Sequence, residues 1–99
     1  MRYTEKDAEE HAKRLAQALG KRFGDCWDEK TRKSIVGCWK VDCNPIYGGC
    51  IIEEIVNEHG GVTDPILSIR LPPREFCNAV NFALRVLDIK EKEELNKVT

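Results

Sequence analysis

The sequence predicts an α+β domain of order α-β-β-β-α, a three-stranded antiparallel sheet packed against two helices. Apolar residues recur at helical spacing near both ends of the chain. Between them lie three β-rich stretches separated by glycine and proline turns. The chain is 99 residues long with 41% apolar content, enough for one domain with a core of its own.

The first helix is expected over residues 4–19. Thr4 can cap it, with Asp7 three residues on in a near capping box. Ala8, Ala12, Leu15, Ala16 and Leu19 form one stripe, His11 lies beside it as a packed or solvated side chain, and Gly20 is a natural stop. Residues 20–33, "GKRFGDCWDEKTRK", read as an irregular stretch whose Phe23 and Trp27 tuck back onto the domain. Residues 34–42 read as a strand with Ile35, Trp39 and Val41 on one face and Lys40 and Asp42 on the other.

Asn44-Pro45 and Gly48-Gly49 then break the chain. Residues 50–58, "CIIEEIVNE", fit either a helical stripe or a strand covered on both faces. β-branched density and flanking glycine pairs favour the strand. Residues 62–70 make the third strand. Pro65 cannot donate to a ladder, so this strand is at an edge or interrupted, with Ile66 to Ile69 carrying the pairing. Each glycine pair sits where the backbone must reverse, so Gly49 and one of Gly60 and Gly61 should have positive φ. The second helix is expected over 73–88, with Pro73 in its first turn and Phe76, Val80, Ala83, Leu84 and Leu87 as its stripe. The charged tail either extends that helix or frays. No repeat, linker or second domain interrupts this order.

A net charge of −1 gives no bulk attraction to nucleic acid. No apolar run approaches the ~20 residues that span a bilayer, and the charged N-terminus has no signal-peptide core. A cytoplasmic protein away from the membrane is the expectation. The five cysteines (26, 38, 43, 50 and 77) are then expected as reduced, metal-free small hydrophobes. A zinc site joining Cys38, Cys43 and Cys50 to Cys26 or His59 is the alternative, although their spacing is not that of a zinc knuckle.

Trp39-x-x-Asp42, Tyr47-Gly48-Gly49, Ile55-Val56-Asn57-Glu58, Gly60-Gly61-Val62, and Arg70 with Arg74-Glu75-Phe76 form a pattern over roughly residues 37–87. In it the chain resembles a family of small proteins encoded by bacteriophages and prophages, departing at His59, where the family often has another glycine. The resemblance implies an origin in a phage or mobile element, working in a prokaryotic host. It supplies no activity and no catalytic residue, and the cysteines lie outside its pattern.

Charge is unevenly distributed. Residues 1–40 hold ten Lys/Arg and seven Asp/Glu, and residues 70–99 hold six and five. Residues 41–69 hold five acids (Asp42, Glu53, Glu54, Glu58 and Asp64) and no base. Such a block suits a basic surface on a partner, or is simply a solvated face. The expected function is therefore non-enzymatic binding of a host protein, in its sharpest form inhibition of a nucleic-acid-handling or antiviral complex in an anti-CRISPR-like manner. Asp42, Tyr47, Glu53, Glu54, Asn57, Glu58, Asp64 and Arg70 are the candidate contact residues. The alternative is a nucleic-acid-binding module, because the double-stranded RNA-binding domain shares the α-β-β-β-α order. Its basic cluster at the last helix is missing here, where Arg74 stands beside Glu75. No Walker loop, HExxH or nucleophile elbow is present, Glu58 and His59 would point apart in a strand, and no histidine is placed to activate Cys50, so neither catalysis nor a cofactor is expected.

Overall fold

The structure, a computed structural model, describes residues 3–98. The α+β architecture is as expected. Helix α1 spans Glu5–Ala18 and helix α2 Pro73–Val98. A three-stranded antiparallel sheet of order β3-β4-β5 is built from Trp39–Asn44, Gly49–Ile55 and Val62–Thr63. A second, two-stranded hairpin, β1 (Trp27–Asp28) and β2 (Lys33–Ser34), occupies the stretch expected to be irregular.

Helix α1 begins at the capping box. The Asp7 backbone N–H donates to Thr4 Oγ1 at 3.3 Å, and the Thr4 N–H donates to Asp7 Oδ2 at 2.8 Å. These bonds, the backbone one foremost, hold the Asp7 carboxyl below its ordinary pKa. A depressed carboxyl pKa stabilises the folded state above the unfolded value, and that contribution is lost as pH falls through the folded value. At the other end Gly20 turns out of the helix with φ +70°. Ala8, Ala12, Leu15 and Ala16 are buried against Phe76, Cys77 and Val80 of α2 and against Trp39, Cys50 and Ile52 of the sheet. Four of the residues expected on the α1 stripe are in the core; Leu19, the fifth, is exposed.

Strand β4 is central and buried along most of its length. On the face opposite Ile52, Ile51 and Ile55 are buried as well. One edge pairs with β3 throughout, from Trp39↔Glu54 to Asn44↔Gly49. The other edge pairs at two separated points. Glu54 and Ile55 meet β5 at Thr63 and Val62, and Cys50 meets Leu71 in an antiparallel bridge. The intervening residues 64–70 bulge away from the edge. This corrects the expectation for 62–70: Ile66 to Ile69 form no ladder, and Ile66 and Ile69 are exposed. Pro65 has no N–H to offer, and the register offset between the two points leaves four extra residues to be looped out. The strand expected over 34–42 is also divided. Residues 35–38 turn, and the ladder starts at Trp39. Trp27 is 49% exposed rather than tucked in, because it belongs to the outer hairpin, whereas Phe23 does pack on the core beside Trp39. Helix α2 continues ten residues past the expected end, through the charged tail.

The cysteines overturn the expectation of free thiols. Cys26 is bonded to Cys38 and Cys43 to Cys50, leaving Cys77 free and buried, its thiol pKa raised by burial. The cause is register. Cys43 and Cys50 are direct cross-strand partners, with Cα atoms 4.0 Å apart. The Cys50 N–H and C=O bond Leu71 on the far side at 2.6 and 3.0 Å, so the Cys43·Cys50 pair is a non-hydrogen-bonded one, where side chains approach most closely. Loops of this size give about 2.5–3 kcal/mol each by loop-closure entropy.

Gly48, Gly49 and Gly60 have positive φ, as the turn reading requires. At Gly49 φ is +122° and a Cβ would overlap the Leu71 carbonyl, whereas at Gly37, φ +89°, a Cβ would meet open space. Gly49→Ala should therefore lower stability by more than about 2 kcal/mol, and Gly37→Ala by about 1 kcal/mol. Urea unfolding of the two variants checks this; equal midpoints would contradict the close approach at Gly49.

Candidate protein-interaction surface

The expected contact residues divide into a clamp, a set of internal ion pairs, a presented tip, a turn cap (Asn57) and one exposed acid (Asp64). Arg70 and Asp42 are the clamp. Arg70 Nη1 donates to the carbonyls of Asp42 and Gly49 at 3.1 and 3.0 Å, and Nη2 pairs with Asp42 Oδ2. One guanidinium thus closes the neck of the β3–β4 hairpin, bonding both strands at once.

Above that neck the Cys43–Cys50 disulfide closes an eight-residue loop, "CNPIYGGC". Pro45–Tyr47 form a 3₁₀ turn inside it. Asn44 Oδ1 accepts the Ile46 N–H at 3.0 Å, and Gly48 supplies a left-handed end at φ +104°. Their combined effect is to push two large side chains into solvent. Ile46 is 87% exposed and Tyr47 72%. No charged residue occurs from Cys43 to Ile52.

Four of the five acids in the base-free segment meet a base from elsewhere in the chain. Asp42 has Arg70. Glu53 faces Lys40 across the ladder, at 4.0 Å. Glu54 accepts the Trp39 indole N–H at 2.8 Å and lies 3.8 Å from Lys21 Nζ. Glu58 pairs with Lys33 of the outer hairpin at 3.1 Å. Most of these pairs are partly solvated and worth at most about 1 kcal/mol each. The bond to the buried Trp39 ring makes Glu54 a structural residue. Asp64 is exposed and has no ion pair among the described residues. Asn57 is a turn cap: its Oδ1 accepts the N–H groups of His59 and Gly61 at 2.9 and 3.0 Å.

Sequence reasoning missed a second exposed apolar surface. Leu15, Leu19, Ile66, Phe82, Ala83, Val86 and Leu87 line an open groove of about 330 Å³ beside α2. Phe82, 73% exposed, falls with Val86 and Ile89 on the side of α2 opposite its core stripe. Their i, i+4, i+7 spacing was a readable signal. Among the described residues no helix is long and apolar enough to cross a membrane. No family model, curated protein or solved structure matches the chain.

Replacing Arg70 by methionine leaves the Asp42 carboxylate and two carbonyls without their donor. It should cost about 1–3 kcal/mol of stability, whereas Asp64→Ala should stay within about 0.5 kcal/mol of the parent. Thermal melts of the two variants decide it, and an unaffected Arg70→Met protein would remove the clamp from this account.

Proposed function

We propose that this protein works without catalysis, by binding a protein partner through the tip Asn44–Gly49. One observation carries the reading: Ile46 and Tyr47 are held out in solvent on a hairpin closed by a disulfide and an arginine clamp. Exposed aromatic and aliphatic side chains bind best when ordering them costs little at the moment of contact, and a pre-closed loop meets that condition. An uncharged tip fits an apolar cleft on the partner, with a hydrogen-bond acceptor at its floor for the Tyr47 hydroxyl.

The resemblance to small phage and prophage proteins points to a host protein as the partner, and blocking a nucleic-acid-handling or defence complex is the most specific form of that role. The acidic block enters differently from the sequence-based expectation. Four of its members are paired with bases within the fold, so on this reading their part is to hold β3, β4 and the outer hairpin together beneath the tip. The compartment expected from sequence is the host cytoplasm. Disulfides open in a reducing cytosol, so the stapled tip belongs to oxidising conditions or to a host whose interior preserves disulfides.

The test is affinity capture from host lysate by the parent protein, by Ile46→Ser/Tyr47→Ser, and by Asp64→Lys, beside a gel shift with duplex and single-stranded DNA and RNA. A defined host protein should be retained by the parent and Asp64→Lys. The tip variant should bind it at least about 30-fold more weakly while its own melting temperature stays unchanged. Salt-sensitive binding to nucleic acid with no protein captured would replace this reading with the nucleic-acid module.

A further inference from the structure

The outer hairpin carries a feature that the tip does not use. Trp27 is the more exposed of the two tryptophans, at 49% against 2% for Trp39. An indole is large enough that leaving half of it in water forgoes much apolar burial. It lies in an open depression of about 420 Å³, shared with Arg22, Asp25, Asp28, Glu29, Lys30 and Ile35. The depression is rigidly built. Cys26, next to Trp27, is bonded to Cys38, and the Ile35 N–H donates to the Cys26 carbonyl at 2.8 Å. Asp28 Oδ1 accepts the Lys30 N–H at 2.9 Å, which fixes that carboxylate and leaves its second oxygen available. Arg22 is tied to Asp25 by a bond to its carbonyl at 3.1 Å and an ion pair at 3.6 Å.

We propose that this depression is a binding site for a neutral saccharide, with the ring stacked on Trp27 and its hydroxyls bonded by Asp28, Asp25 and Arg22. The charge of the lining selects the ligand class. A polyanion such as a nucleic acid strand would meet three carboxylates of the lining, Asp25, Asp28 and Glu29. An organic cation would meet Arg22 and Lys30. An uncharged polyhydroxy ring uses both signs: each hydroxyl donates to a carboxylate oxygen and accepts from the guanidinium or ammonium group. The C–H face of the ring is apolar enough to cover the indole, and the fixed hairpin keeps the ordering cost of a shallow site low. The site is on a different hairpin from Tyr47 and stands or falls independently of it.

Trp27 supplies the readout. The full-length, disulfide-bonded protein is titrated with the trisaccharides of α-linked glucose, β-linked glucose and N-acetylglucosamine. Indole fluorescence is followed together with the side-chain N–H signals of Trp27 and Trp39 in a ¹H–¹⁵N spectrum. Parallel titrations use a single-stranded thymidine octamer and arginine amide. A saturable change at Trp27 with at least one trisaccharide is expected, with Trp39 unmoved. Trp27→Ala and Asp28→Asn should each weaken it about tenfold, and Trp27→Phe should retain most of it. Saturation by the octamer or by arginine amide alone, a saccharide response that survives Trp27→Ala, or no response to any trisaccharide up to its solubility limit would each overturn the proposal.

Discussion

The constraint on which the rest of this structure depends is the closure of the β3–β4 hairpin at Cys43 and Cys50. Their backbone positions make them a non-hydrogen-bonded cross-strand pair, and the far edge of Cys50 is engaged by Leu71. That single register fixes three things. It brings two sulfurs together, it seats Gly49 against the Leu71 carbonyl where no side chain fits, and it aims Arg70 at the hairpin neck. A slip of one residue would turn every side chain of β4 to the opposite face and separate all three. The tip residues Ile46 and Tyr47 are presented because the strands beneath them have no freedom to splay.

The charge pattern follows from the same register. A block of five carboxylates without a base looks like an external field when read along the chain. In the fold, Lys40 stands opposite Glu53, Lys21 reaches Glu54 from the segment after α1, and Lys33 reaches Glu58 from β2 of the outer hairpin. Charges segregated in sequence are interleaved in space. The large apolar groups left exposed are those of the hairpin tip, the Phe82 groove, and the indole of Trp27.

Much of the fold was legible because it rests on local chemistry. The Thr4–Asp7 box, the Gly20 stop, the two apolar stripes and the glycine turns are each set by residues within one or two turns of each other. The ambiguous stretch 50–58 resolved as a strand, ending at Ile55, for the reason its β-branched residues gave. What escaped depends on pairings distant in sequence. The β1–β2 hairpin has two-residue strands, too short to show an alternation, and the Cys26–Cys38 bridge joins residues on either side of it. The looping-out of 64–70 depends on where Leu71 lands on β4. Cys43–Cys50 was hidden by the expectation of reducing surroundings, although an eight-residue loop with a glycine pair and an Asn-Pro turn is a natural frame for a hairpin disulfide. Of the candidate contact residues, only Tyr47, expected as a neutral hydrogen-bonding group beside the acidic block, lies at the exposed tip. The second tip residue, Ile46, was passed over because an aliphatic side chain in a turn carries no chemical label.

The most direct test of hairpin closure is to count and locate the thiols. Protein unfolded in denaturant without reductant should react with a thiol reagent once per chain, at Cys77. Proteolysis without reduction should yield one cross-linked pair of peptides joining Cys26 to Cys38 and another joining Cys43 to Cys50. Five reactive thiols in air-oxidised protein, or Cys43 and Cys50 bonded to other partners, would contradict the account at its root.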